Sequence, residues 1–458
     1  MKDGRIIINR YVALGIILCV LLISNHVANE LRLLIYLGGF VVGFFSVPYG
    51  TVAYFLFYTK LFGLYSNETI GSSNVISFAD AAFFTALGMI ISFVVRRKFA
   101  LKINIIKKQI PILFLIICML SSVLVAYLRW GQPVVKSLIT FRHYFTFLIV
   151  YPIYMWIIED KEKNGKLLID IFSSIATFVC VIFIVQYFVF PNHLVLQIVA
   201  TDSNRMMLSN IRYLLHSCSQ WMCFLCVYNY YMFRKSNTKS GKSERFLSFL
   251  ILFITIVFIT QTRIFYVSLF VLLIVIEVSI YKGKSKLLRK ILTFLLIGFC
   301  MLEMYWILFP EGSASFLSLF EQTESGTRTR AITFFSDTIK GKNVFWGGGI
   351  TNTAYANSPA AMAQKYRISL SDLGFWGFYY QFGVQSCLAI VLLFITNLKK
   401  SRNCNTDIYN MIGLYTLMVI MQMLTVIPDY SLLVILTAII SGNMKSDERM
   451  EQISYLKY

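Results

Sequence analysis

The residues best equipped for chemistry in this chain are arginines. Arg263 follows Thr260-Gln261-Thr262, between two long apolar stretches with almost no connecting loop. Arg328 and Arg330 stand in TRTRAITFFSDTIKGK, and Arg205 and Arg212 lie at the mouth of another apolar stretch. A guanidinium is planar, permanently charged and forked, so it grips phosphates and carboxylates through paired hydrogen bonds. An Arg at the centre of a bilayer helix costs about 2.5–3.5 kcal/mol on insertion scales and is seldom kept without a reason. For Arg263 two readings stay open on sequence alone: a side chain snorkelling at a helix end, or a fixed cation aimed into a cavity. Taken together, these arginines form a patch whose natural partner is a diphosphate held at a membrane surface.

The acids are fewer. Asp372 opens an apolar helix in Ser371-Asp372-Leu373-Gly374-Phe375-Trp376-Gly377, where a carboxylate near the N-terminus is favoured by the helix dipole in any case. Glu303 lies within an apolar stretch, where an unpaired carboxylate is costly and an arginine partner is expected. Asp80 begins another helix and reads as structural. The histidines are His26, His143, His193 and His216, none of them in the long polar segment described below. No zinc, P-loop or dinucleotide motif is present, so neither a metal nor a nucleotide cofactor is expected. Cys223 and Cys226 form a C-x-x-C inside an apolar stretch with no second pair, and read as small hydrophobes.

The elements that must position these groups are apolar helices. Of the 458 residues, 57% are hydrophobic and 14% charged, against about a quarter charged in ordinary soluble domains. The excess is concentrated in blocks near 11–24, 33–47, 49–62, 76–95, 110–128, 137–158, 167–190, 214–233, 246–261, 264–281, 291–309, 371–396, 408–427 and 429–442. Blocks of this kind span a hydrocarbon core as helices, because backbone polar groups must be satisfied internally there. The expectation is an all-α, polytopic membrane protein of about 12–14 helices, forming one domain over 1–458. The pair around Pro48 reads as a broken or re-entrant element. The net charge of +20 would point to nucleic acid in a soluble protein; here Lys and Arg cluster in alternate connections and act as topology signals, so no nucleic-acid partner is expected. They place both termini in the cytoplasm.

One connection stands apart. From Pro310 to Leu370 no membrane block occurs, and a connection that long is commonly functional. By the charge rule it is extracytoplasmic. Ile332, Phe335 and Ile339 share one helical face, as expected of a helix lying on the membrane surface. Ser358-Pro359 reads as an N-cap with Pro at the first helical position, opening a short helix. Trp346-Gly347-Gly348-Gly349 reads as a tight turn between them.

This layout, with many helices, a long late loop and a few helices after it, resembles the O-antigen polymerase and ligase superfamily, and within it the repeat-unit polymerases. The motifs similar to the family's are Thr260-Gln261-Thr262-Arg263; Arg328 or Arg330 followed by the amphipathic stretch and Phe345-Trp346-Gly347-Gly348-Gly349; and the acid-x-Gly-x-x-Gly pattern beginning at Asp372. They cover short segments of the chain, whereas the layout covers all of it. The resemblance implies a bacterial cytoplasmic-membrane enzyme that joins undecaprenyl-diphosphate-linked oligosaccharide repeat units into O-antigen, capsule or exopolysaccharide, working beside a flippase and a chain-length regulator. It implies Arg263, Arg328 and Arg330 as the groups that hold the diphosphate, Asp372 as the residue orienting the acceptor or the loop, and Arg205, Arg212, Gly347, Gly349 and Glu303 as substrate contacts. The ligase branch carries a His shortly before the glycine pair; this chain has Ala363-Gln364-Lys365 in that region. That departure favours a polymerase and leaves the base unassigned. The rival classes are a lipid-linked oligosaccharide flippase or other transporter, for which internal symmetry and midplane polar residues would be expected, and a non-enzymatic membrane partner.

Overall fold

A computed structural model of the chain describes residues 29–59, 69–70, 76–77, 80–96, 109–161, 163–189, 219–260, 263–282, 327–339, 345–366, 368, 370–401, 406–422 and 429–443. Helices dominate this set. They are α1 (Asn29–Phe45), α2 (Val47–Tyr58), α3 (Asp80–Arg96), α4 (Ile110–Trp130), α5 (Val134–Phe145), α6 (Val150–Glu159), α7 (Asn164–Val189), α8 (Ser219–Lys235), α9 (Lys239–Ile254), α10 (Arg263–Lys282), α11 (Thr327–Ile339), α12 (Pro359–Lys365), α13 (Gly374–Ser401), α14 (Thr406–Gln422) and α15 (Tyr430–Gly442). A two-residue antiparallel ladder, Thr69–Ile70 with Ile76–Ser77, is the departure from helix. The apolar blocks at 11–24 and 291–309 lie outside the described residues.

Among the described residues, three helical stretches are long and apolar enough to cross a membrane: Ile110–Trp130, Asn164–Val185 and Gly374–Ser401. Their packing fits that environment. On α4, Leu115, Met119, Val123 and Ala126 are buried against neighbours, while Ile117, Leu124 and Leu128 on the opposite face are exposed. A helix apolar all round, with one side open, is expected where the solvent is lipid.

The pair of blocks 33–47 and 49–62 meets at a break at Ser46, whose hydroxyl accepts from the Tyr49 amide and caps α2 ahead of Pro48. With 12 residues, α2 is about 18 Å long and cannot cross a core of about 30 Å alone. It packs on α1, α3, α6 and α7. The block 137–158 also divides, into α5, a 3-10 turn over Thr146–Ile149 and α6. Hydrophobicity alone does not reveal such breaks, because the residues around them are equally apolar. α1 and α3 cross closely: a Cβ on Gly88 would meet the Phe40 carbonyl oxygen at 2.3 Å, and one on Gly43 the Thr85 carbonyl oxygen at 2.4 Å. Small residues let backbones approach in this way in lipid.

Ion pairs tie together one end of the bundle. Asp170 of α7 accepts from Arg245 of α9 at 2.7 Å and from the Tyr228 hydroxyl of α8 at 2.5 Å. Arg234 pairs with Glu277 at 2.9 Å, and Lys235 pairs with Asp407. On the same end Lys400 donates to Ser441 at 3.2 Å, and Ser441 donates to Gln109 at 3.4 Å. These contacts gather the helix ends that adjoin the Lys- and Arg-rich connections. The opposite end carries the chemistry described next.

Candidate functional site

α13 is broken near its start. Gly383 lies inside it at φ 77°, ψ 177°, a conformation essentially confined to glycine. In an unbroken helix the carbonyls of Tyr380 and Gln381 would accept from the amides of residues 384 and 385. Here the Gly348 amide donates to Tyr380 at 2.5 Å and the Gly349 amide to Gln381 at 3.1 Å, while the Gln385 amide reaches the Phe345 carbonyl at 3.5 Å. The glycine turn therefore satisfies the backbone groups that the break exposes, as a buried helix interruption requires. Gly347 and Gly349 hold φ of 70° and 90°.

The same turn is fastened to α4. The Ile350 amide donates to the Ser122 carbonyl at 3.1 Å. Arg129 donates to the Gly347 carbonyl, and the Trp130 indole to the Gly348 carbonyl at 2.7 Å. Gln132 donates to the Ile350 carbonyl at 3.1 Å and accepts from the Asn352 amide at 2.9 Å. Gln385 of α13 donates to the Ser121 hydroxyl at 2.6 Å, joining the two helices directly. Chain 345–352 is thus a wedge between α4 and α13, held through its backbone on both sides.

α11 closes over this junction. Ile332, Phe335 and Ile339 are 2%, 1% and 6% exposed, so the face expected to lie on lipid is buried in protein. Phe335 packs on Tyr380 with ring centroids 4.6 Å apart, and Thr338 donates to the Tyr380 hydroxyl at 3.2 Å. Aromatic side chains at the end of α13 offer this face a protein partner, and burial against them replaces lipid. α11 also packs on α12 and on the 3-10 turn Leu370–Leu373. α12 opens where its capping signal stands: Ser358 accepts from the Ala361 amide at 3.1 Å, and Pro359 follows.

The structure brings several of the expected residues into one neighbourhood. Arg328 and Arg330 stand on α11, with Arg330 exposed, Asp372 lies in the 3-10 turn that α11 touches, and Gly347 and Gly349 sit in the wedge on Tyr380 and Gln381. The backbone of the two glycines is engaged by α4 and α13. Arg263 begins α10, which packs on α8, α14 and the π-helical turn Thr255–Thr260. Arg205, Arg212 and Glu303 lie outside the described residues. Sequence reasoning passed over Arg129, Trp130 and Gln132. The signal was there: Leu128-Arg129-Trp130-Gly131-Gln132-Pro133 places polar donors at a helix end beside a Gly and a Pro, and Gly131 caps α4 at φ 65°.

A second polar cluster lies behind the wedge. Phe382, next to Gly383, packs on Tyr144 at 5.2 Å, and Tyr144 packs on Tyr430 at 5.4 Å. Phe147 and Phe378 complete the aromatic group around Tyr430, at 5.3 and 6.4 Å. Asp429 precedes Tyr430. Its Oδ1 accepts from the Ser431 hydroxyl at 2.6 Å and the Leu432 amide at 3.1 Å, and its amide donates to Gln220 at 2.5 Å. Trp221 donates to Ser431 at 2.8 Å.

Arg142 and Asp80 form a separate fork, with Nε–Oδ1 of 2.7 Å and Nη2–Oδ2 of 2.9 Å. It joins α5 to α3, which gives Asp80 the structural role its sequence position implied. Comparison with protein-family models, curated proteins and solved structures finds no match to this chain.

Proposed function

We propose that this chain is a polysaccharide polymerase. It transfers a glycan from undecaprenyl diphosphate to the sugar of a second lipid-linked repeat unit on the outer face of the cytoplasmic membrane, with the helices crossing about 12–14 times. The reading rests on the resemblance of layout and motifs, and one observation carries it further. Three separate stretches of sequence, the Arg129 end of α4, the glycine wedge and the helix bearing Arg328 and Arg330, converge on Tyr380 at one end of the bundle. That end is opposite the one where the basic connections gather, as an extracytoplasmic site requires.

The chemistry follows from charge. When the glycosyl–oxygen bond breaks, the diphosphate leaves with the electron pair and gains negative charge. Guanidiniums aimed at it stabilise that charge without a metal or nucleotide. Arg328 and Arg330, with Arg263 from α10, are the groups proposed for this role. Asp372, on the turn beneath α11, would orient the acceptor or the loop.

A transporter is the second reading, favoured by the break in α13, since discontinuous helices bind substrates in many transporters. In those sites the freed backbone groups face the ligand. Here Tyr380, Gln381 and Gln385 spend theirs on the wedge, which weighs against it. The deciding experiment is product analysis after deletion of the gene. A polymerase defect leaves single repeat units at the surface, whereas a flippase defect leaves none. Arg263→Ala and Arg330→Ala variants at normal protein level should lose the polymer ladder; if both keep it, the diphosphate site is misplaced.

A further inference from the structure

The polymerase reading leaves the acceptor hydroxyl without a base, and this inference rests on that reading. We propose that Asp429 is that base, at the floor of an aromatic acceptor-sugar site formed by Tyr144, Phe147, Phe378, Phe382 and Tyr430.

Four observations lead there. First, the carboxylate is divided in use: the Ser431 hydroxyl and the Leu432 amide, which cap α15, both fall on Oδ1, so that Oδ2 takes no part in these two bonds, and the Trp221 indole and the Ser431 amide are the carboxylate's further donors. A carboxylate kept only for capping needs one oxygen. Asp429 is also partly exposed although helices surround it. Second, no cation among the described residues pairs with it, unlike Asp80, Asp170, Glu277 and Asp407, each of which holds an Arg or Lys. A carboxylate withheld from ion pairing stays available to take a proton. Third, the Tyr415 hydroxyl, within electrostatic reach of it, is buried and makes no hydrogen bond among the described residues, with Tyr415 3% exposed, whereas the Tyr430 and Tyr144 hydroxyls bond each other. Buried hydroxyls without partners are rare, and a ligand rich in hydroxyl groups would satisfy them. Fourth, Tyr144 and Tyr430 are partly exposed above buried Phe147, Phe378 and Phe382 and combine an apolar ring with a polar tip, which suits a sugar: its C–H face lies on a ring and its hydroxyls reach the tips.

The position suits the reaction. Phe382 adjoins Gly383, whose break receives the wedge, so acceptor and donor sites share one wall of α13. In the step proposed, Oδ2 of Asp429 takes the proton of the acceptor hydroxyl as its oxygen attacks the anomeric carbon. The bond from that carbon to the diphosphate oxygen breaks, the electron pair leaves with the lipid diphosphate, and Asp429 later returns the proton to water. No oxidant or metal is needed.

The capping role dictates the test. Asn caps a helix about as well as Asp, so Asp429→Asn keeps the fold and removes the base; Asp429→Ser serves as a second capping variant. Each is expressed in a gene-deletion strain, and the full-length protein is purified in detergent and assayed with a lipid-diphosphate-linked repeat unit across pH. Removing a general base lowers the rate by roughly 100- to 10,000-fold. The expectation is single repeat units at the cell surface, normal protein level and melting temperature, and residual turnover lacking the acidic limb of the wild-type pH profile. Tyr430→Phe should raise KM several-fold and leave kcat near wild type. If Asp429→Asn restores the full ladder, or turns over within tenfold of wild type, the assignment to Asp429 is overturned while the polymerase reading stands. If deletion of the gene leaves the polymer unchanged, the polymerase reading fails and this assignment falls with it.

Discussion

Substituting Gly383 by Ala tests whether the break in α13 and the glycine wedge form one unit. A Cβ at this position would lie 2.2 Å from the Phe345 carbonyl oxygen and 2.5 Å from the Gly347 amide nitrogen. Those atoms are backbone, so no rotamer change relieves the overlap. The φ of 77° with ψ of 177° adds strain of about 1–3 kcal/mol for any residue with a side chain. If the wedge withdraws to make room, the contacts from Gly348, Gly349 and Gln385 are lost, each worth about 1 kcal/mol net. If α13 straightens instead, Tyr380 moves away from Phe335 and Thr338. Either route costs about 3–5 kcal/mol, a large part of the 5–15 kcal/mol typical of a folded protein. The assay is thermal unfolding of detergent-solubilised protein followed by fluorescence-detected size exclusion, alongside the polymer ladder in cells. Gly38→Ala is the matched control, since nothing lies within 4 Å of a Cβ there; in a helix it should be neutral or stabilise by up to about 1 kcal/mol. A Gly383→Ala protein that melts with wild type and makes full polymer would refute the claim that the turn completes the broken helix.

Arg129→Ala removes the donor to the Gly347 carbonyl and Trp130→Phe the donor to Gly348; each should destabilise by about 1–2 kcal/mol and shorten the polymer, read by melting and by ladder length. Reversing the clasp on the other end, Asp170→Arg with Arg245→Asp, should recover most of the melting temperature lost by either single change, because both side chains are partly buried at 24% and 19% exposure; failure of the double variant to recover would show that the pair is not the source of the loss. A cysteine at Asn357, exposed beside α12, should react with an impermeant maleimide in intact cells, and one at Lys242 on α9 only after lysis; the reverse pattern would invert the topology and remove the proposed site from the outer face.

How much of this was legible in the sequence depends on the range of the interaction involved. Hydropathy placed α4, α7, α8, α10, α13, α14 and α15 within a few residues, because each is a continuous apolar run. Local capping chemistry placed the start of α12 at Ser358-Pro359, since an N-cap acts across three residues. The break at Ser46 is legible from Pro48, whereas those at Thr146–Ile149 and Gly383 are not. They depend on distant partners rather than on composition: Gly383 needs a turn some 35 residues upstream to take up its backbone groups. The amphipathic face of α11 was read correctly as a face but assigned to lipid, because apolar periodicity identifies a face that must be buried without naming what buries it.

The charged residues divide along the same line, and that division carries the functional argument. Hydropathy marks every charge near a span as costly, but it cannot say which are already neutralised. Asp80, Asp170, Glu277 and Asp407 each find an Arg or Lys at a separation of tens to more than a hundred residues, so the cost of placing them near apolar helices is met within the fold. They are fasteners. Asp429 holds its helix cap on one oxygen and pairs with no cation among the described residues, in a cluster where the buried Tyr415 hydroxyl also lacks a partner. A polar cluster left incomplete by the protein itself is expensive, and such incompleteness is tolerated where a substrate supplies the missing partners. That contrast, carboxylates held by a cation against one that is not, makes Asp429→Asn the most informative single substitution in the chain.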